Sequence, residues 1–179
     1  GMDLVKWDGS TYSLYFDGSD VGLTVKTQEK IDGLHIMPTN YPSPLPMSCP
    51  AGYLLISTQG PGKVTAFDGR QLKFRGEDIL GFCATNLGSA TAGWWHMVFD
   101  GSAAGLPKNA IDSISANADG SVISFTTPKA INVPGAVGGH SMVFEYDMIS
   151  GAFSGPVFSA PAVGINKQVD GLYIAGDLP

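Results

Sequence analysis

Charge is scarce in this chain: Asp, Glu, Lys and Arg make up 15 % of its 179 residues, against roughly 25 % in ordinary globular domains. Positive charge is scarcer still, with ten Lys and Arg against sixteen Asp and Glu, a formal net charge of −6. Such a chain releases few counterions from a phosphate backbone and is repelled by anionic lipid, so nucleic acid and anionic membranes are excluded as expected partners. Long apolar runs are also missing. No stretch approaches the roughly eighteen residues of a spanning helix, so no membrane span is expected. The N-terminus has no basic start followed by an apolar stretch. Gly1 before Met2 reads as a cleavage scar joined to a native start, from which no signal peptide and no export by the usual route are expected.

Cysteine is nearly absent. Cys49 and Cys83 match neither a disulfide framework nor a zinc site by count or spacing, and two free thiols are the expectation. The three histidines, His35, His96 and His140, form no His-x-x-x-His pair, so no metal site is assigned. No Gly-x-Ser-x-Gly elbow and no phosphate-binding Gly-x-x-x-x-Gly-Lys loop occurs, and no cofactor is expected. Gly60-Pro61-Gly62-Lys63 precedes a strand-like segment instead of a helix and reads as a turn.

What the chain has in abundance is turn residues. Glycine (24) and proline (12) together make about a fifth of it, which predicts many short elements. Those elements recur. Phe16-Asp17-Gly18-Ser19-Asp20-Val21-Gly22-Leu23 returns as Phe99-Asp100-Gly101-Ser102-Ala103-Ala104-Gly105-Leu106, and more faintly as Phe158 to Ile165. After each copy comes an aliphatic-Asp pair leading a strand: Ile31-Asp32, Ile111-Asp112 and Val169-Asp170. Glycine followed by aliphatic residues and threonine appears at Gly52 to Thr58 and at Gly120 to Thr126. Paired apolar residues ahead of an aromatic appear at Leu4 to Trp7, Ile79 to Phe82 and Val143 to Tyr146.

These segments are short, rich in β-branched and aromatic residues, and bounded by Gly, Asp, Asn and Pro, so they read as strands. In order they spell c d, a b c d, a b c d, a, where each unit is a four-stranded antiparallel meander. The expectation is a single all-β domain over 1–179, with units of roughly 1–30 plus 166–179, 31–108, and 109–165. Tandem meanders of this kind build propeller-like folds, here of about three units with the termini sharing one, C-terminal strand a pairing into the sheet of N-terminal c and d. A barrel or sandwich is the alternative. Because three units fall short of a propeller ring, a homodimer completing a six-unit ring is a possible assembly.

The stretches Leu14 to Leu23, Gly52 to Thr58 and Thr91-Ala92-Gly93-Trp94 resemble a tandem repeat of large bacterial extracellular and surface proteins of uncharacterised function. That resemblance implies propeller-like blades and a surface or adhesive setting, and no known chemistry.

Residues present in every unit usually serve the unit, whereas a functional site is asymmetric. Asp32, Asp112 and Asp170 are therefore expected to cap turns through backbone N–H groups, with a carboxylate ring binding a cation as the alternative. Asp17 and Asp20 around Gly18-Ser19 read as a hairpin turn ahead of a calcium loop. Two non-repeated features stand out. One is the proline-rich insertion Pro38 to Pro50 with Tyr41. The other is Trp94-Trp95-His96, where alternation along a strand turns one tryptophan inward and the other outward. Tyr41, Trp94, Trp95 and His96 are the candidate ligand-binding residues, since an exposed indole stacks on sugars or fills interfaces. Lys63 to Lys73 reads as a solvated loop of mixed charge.

The resulting expectation is a non-catalytic binding or assembly module for a glycan or protein ligand. The alternative is a saccharide-acting hydrolase using Asp17, Asp100 or Asp170.

Overall fold

A computed structural model describes residues 1–108 and 111–174. The expected unit boundary at 109 and the end of the last segment, 175–179, lie outside the described residues. The chain is all-β and its strands follow the repeat. β1 (Leu4–Trp7) and β2 (Tyr12–Phe16) are c and d of the first, partial unit. β3 (Ile31–Ile36), β4 (Gly52–Thr58), β7 (Ile79–Asn86) and β8 (Ala92–Phe99) form the sheet β3-β4-β7-β8, an a-b-c-d meander with every pair antiparallel. β9 (Ser113–Ala116), β10 (Val122–Thr126), β13 (Met142–Asp147) and β14 (Ala152–Ser159) repeat it.

Each b–c connection carries a hairpin, the first of them in the segment Lys63 to Lys73 expected as a loop. In the first full unit these are β5 (Gly62–Thr65) and β6 (Gln71–Phe74), and in the second β11 (Ile131–Val133) and β12 (Ala136–Gly138). Both hairpins reach across to strand d. Ala66 forms a parallel bridge with Trp95, and Ala136 pairs in parallel with Gly155. Strand d would otherwise end its meander with unpaired N–H and C=O groups, and the hairpin covers part of that edge.

The turn after strand d is built alike three times. Leu23, Leu106 and Ile165 donate their N–H groups to the carbonyls of Gly18, Gly101 and Ala160 at 2.9, 2.8 and 2.9 Å. The reversal needs a left-handed residue just before, which Gly22, Gly105 and Gly164 supply with φ of 97°, 91° and 81°. This is why glycine plus an aliphatic residue closes each copy.

Successive units pack face to face. One face of the first full sheet buries Leu54, Ile56, Leu80, Phe82 and Trp95 against Phe16 and Leu23 of the partial unit. Phe16 meets Phe82 and Trp95 edge-on, with ring centroids 5.2 and 6.2 Å apart. The opposite face buries Tyr53, Leu55 and Phe99 against Ile114, Phe125, Phe144 and Phe153 of the second unit. Two layers of apolar side chains thus hold three layers of strand, and alternation along each strand feeds both.

The bonds between units also recur. Ile31 N–H donates to Gly1 O at 3.1 Å, Ile111 N–H to Gly76 O at 2.7 Å, and Val169 N–H to His140 O at 3.3 Å. Strand a of each unit is thereby hung on the loop preceding strand c of the unit before.

Two places depart from the sequence pattern. Residues 169–174 take the position of strand a but form no strand, and their described hydrogen bonds go to the second unit instead of β1 or β2. Val169 binds His140 and Thr126, and Ile174 N–H donates to Ser115 Oγ at 3.0 Å. Among the described residues, β1 pairs with β2 alone and 169–174 has no ladder partner. No closed barrel forms among the described residues. The expectation of two free thiols is corrected. Cys49 and Cys83 are bonded across 34 positions, because Cys49 closes the proline-rich insertion directly beside strand c. Spacing along the sequence carries no trace of that approach.

Candidate functional site

The a–b insertion of the first full unit is fixed at three points. The Cys49–Cys83 bond ties its end to β7. Tyr41 N–H donates to Pro38 O at 2.9 Å, forming its first turn. The Tyr41 ring lies on Tyr53, centroids 5.3 Å apart, and reaches the tight turn of the second unit, where a side chain at Gly120 would meet the Tyr41 hydroxyl at 2.9 Å. The insertion therefore braces two units while presenting a half-buried ring.

Beneath it, β4, β7 and β8 set their side chains in rows. The register Tyr53↔Cys83↔Trp94 makes one row, and Leu55↔Gly81↔His96 the next. Tyr53 crosses from one row to the other, its hydroxyl bonded to His96 Nε2. Gly81 permits the crossing: a Cβ there would lie 2.0 Å from the Tyr53 hydroxyl oxygen and 2.5 Å from His96 Nε2. Burial lowers the His96 pKa and raises that of Tyr53, with Tyr41 adding to the latter. The proton thus stays on Tyr53, which donates to an unprotonated Nε2. Both groups are driven away from neutral pKa values, so the pair is a clamp and not an acid–base couple.

Of the four candidate residues, Tyr41, Trp94 and His96 are half-buried on one side of this sheet, around Tyr53 and the disulfide. Trp95 is not with them. It is 1 % exposed, and its indole N–H donates to Val21 O at 2.8 Å, so it belongs to the core on the opposite face. Sequence reasoning missed Tyr53, which is buried at 3 % and gives no sign along the chain of its reach to His96.

The repeated carboxylates divide into two kinds. Asp17 Oδ1 accepts from Ser19 N–H at 3.0 Å and from its hydroxyl at 2.6 Å. Asp100 Oδ1 accepts from Ser102 Oγ at 2.7 Å and Ala103 N–H at 2.9 Å. Both are turn residues, and their pKa values are held down by these bonds. The described hydrogen-bond partners of Asp32 and Asp112 are side chains, where backbone caps were expected. Asp32 accepts from Gln59 Nε2 at 3.2 Å, and Asp112 is bonded to Gln168. Strand a carries them to one edge of the stack, where burial first, then the charges of Asp32 and Asp170, push the Asp112 pKa up to about 6. Among the described residues no group of three or more His, Cys, Asp or Glu side chains is arranged to hold a metal ion.

On the other face of the first full unit a cleft of about 560 Å³ opens beside the β5–β6 hairpin. Its wall includes Glu29, which is 1 % exposed and accepts from the N–H groups of Thr24 and Val25 at 2.6 Å each. No helix among the described residues is long and apolar enough to cross a membrane. Compared with models of protein families, with curated proteins and with solved structures, the chain returns no match.

Proposed function

We propose that this chain is a non-catalytic binding module whose ligand surface is the patch of Tyr41, Trp94 and His96, with a glycan as the ligand class it suits best. The observation that carries this reading is the patch itself: half-buried rings, absent from the other units, are locked by a disulfide and by the Tyr53–His96 bond. Rings already fixed lose little freedom on binding, and the flat face of a sugar packs on such surfaces. A hydrolase is the less favoured reading, because Asp17 and Asp100 are committed to their own turns. The Cys49–Cys83 bond supports an oxidising, surface-type setting, in line with the repeat resemblance.

A glycan array probed with the parent protein and with Trp94→Ala and Tyr41→Ala tests the reading. Signal on a defined glycan set that falls at least tenfold in both variants is expected. Signal unchanged in both overturns it, and a protein segment as the ligand is indicated if no glycan binds while a peptide array gives a Trp94-dependent signal.

Self-association is a second reading, favoured by the β1–β2 hairpin, in which β1 pairs with β2 alone among the described residues. On this hairpin Val5, Trp7 and Tyr12 are exposed at 60, 53 and 76 %, with the Trp7 and Tyr12 rings 4.6 Å apart. Unpaired apolar edges recruit further strands. Light scattering that reports a monomer at high protein concentration removes this reading.

A further inference from the structure

The β5–β6 hairpin places Lys63 directly opposite Lys73. Like charges facing each other across an antiparallel pair destabilise it, so the arrangement works against the hairpin that carries it. Both lysines are exposed and line the cleft of about 560 Å³ together with Arg75. Among the described residues neither lysine has a carboxylate within ion-pair distance, and Arg75 comes no nearer than 3.9 Å to Glu77.

The same cleft is lined by three acidic side chains, Glu29, Asp78 and Asp100, which formally balance the three cations. Their oxygens are directed mostly at backbone N–H groups, with Asp100 also drawing on the charge of Arg75. Glu29 spends its oxygens on the N–H groups of Thr24, Val25 and Lys63. Asp78 accepts from Arg75 N–H at 2.7 Å and Gly101 N–H at 3.0 Å. Asp100 caps its own turn. The carboxylates are turned toward the backbone, and the two lysine heads are left without an ion-pair partner among the described residues.

We propose that this cleft binds a small organic anion, a carboxylate or phosphate carried on a body that packs along Val25, Pro61 and Met97. The volume suits a ligand of one to three sugar-sized units, and an overall charge of −6 opposes long polyanions while the facing Lys63 and Lys73 offer a local pair of cations. The site is separate from the aromatic patch, since Met97 and His96 are adjacent on β8 and face opposite sides.

Titration calorimetry with trigalacturonate, glucose 6-phosphate, inorganic phosphate and maltotriose tests the proposal and separates carboxylate from phosphate. At least one of the two organic anions is expected to bind tenfold or more tightly than maltotriose and inorganic phosphate, and to weaken several-fold between about 50 and 500 mM NaCl as the charges are screened. The double variant Lys63→Gln, Lys73→Gln is expected to lose this binding at least tenfold while melting no lower than the parent, because its like-charge contact is gone. Trp94→Ala is expected to leave it unchanged, which separates failure here from failure of the aromatic patch. Anion binding that survives the double variant, equal binding of inorganic phosphate, or no binding of either organic anion overturns the proposal.

Discussion

Ser57 donates its hydroxyl to the main-chain oxygen of Ile111 at 2.8 Å, joining strand b of one unit to strand a of the next. Thr126 does the same one unit further on, to Val169 O at 3.0 Å. The two hydroxyls occupy equivalent register positions, opposite Gly33 and Ser113. Ser57→Ala removes the donor while its acceptor stays buried. The expected loss is about 1–3 kcal/mol, read as a lower denaturant midpoint without change of slope. A variant as stable as the parent would show that this bond does not hold the units together.

Gly33 makes room for that hydroxyl: a Cβ there would lie 2.5 Å from Ser57 Oγ and 2.7 Å from Ile114 Cγ1. Gly33→Ala is expected to cost roughly 1–3 kcal/mol by overpacking. Pairing it with Ser57→Ala recovers part of the loss if the clash is with Ser57, and a double-mutant cycle measures that coupling.

The disulfide closes a loop of 34 positions, for which chain entropy gives a stabilisation of about 3–4 kcal/mol. Thiol titration of the unfolded, unreduced protein is expected to find no free thiol, and two after reduction. Cys49→Ser with Cys83→Ser is expected to melt lower and to weaken ligand binding at the patch, since the Tyr41 insertion loses its anchor. Two free thiols before reduction would contradict the bond.

Asp112 titrates in the direction opposite to a salt-bridged carboxylate. Its folded pKa, about 6, lies above the unfolded value. The folded state therefore holds the extra proton, and the stability this contributes is complete below about pH 4 and lost as pH rises through 6. Asp112→Asn is expected to flatten the profile between about pH 4 and 7, and to raise stability at pH 7.5 by about 1 kcal/mol, solvent screening part of the repulsion. A pH profile identical to that of the parent would contradict the carboxylate cluster.

How much of this was legible follows from which signals are local. Strands a to d and the turns after d could be read because Gly22-Leu23 and Gly105-Leu106 state a backbone requirement in two adjacent residues. The alternation of Trp94 and Trp95 was legible as a period of two, though not which ring faces inward. The β5–β6 hairpin was hidden by its own charge, since Lys63 and Lys73 read as solvated loop. Tyr53–His96 and Cys49–Cys83 were hidden because each is made by strand register across positions 43 and 34 apart. Residues 169–174 carry the strand pattern but have no ladder partner among the described residues.

Thermal unfolding of the parent and of Trp94→Ala across a panel of oligosaccharides, with each saccharide recovered and analysed, bears most directly on the binding patch. At one hundred times its dissociation constant a ligand adds about 2.7 kcal/mol, a shift of several degrees at this chain length. The expected result is such a shift in the parent, its loss in Trp94→Ala, and the saccharide recovered intact. A shift of equal size in both proteins, or a cleaved saccharide, would contradict a non-catalytic site built on Trp94.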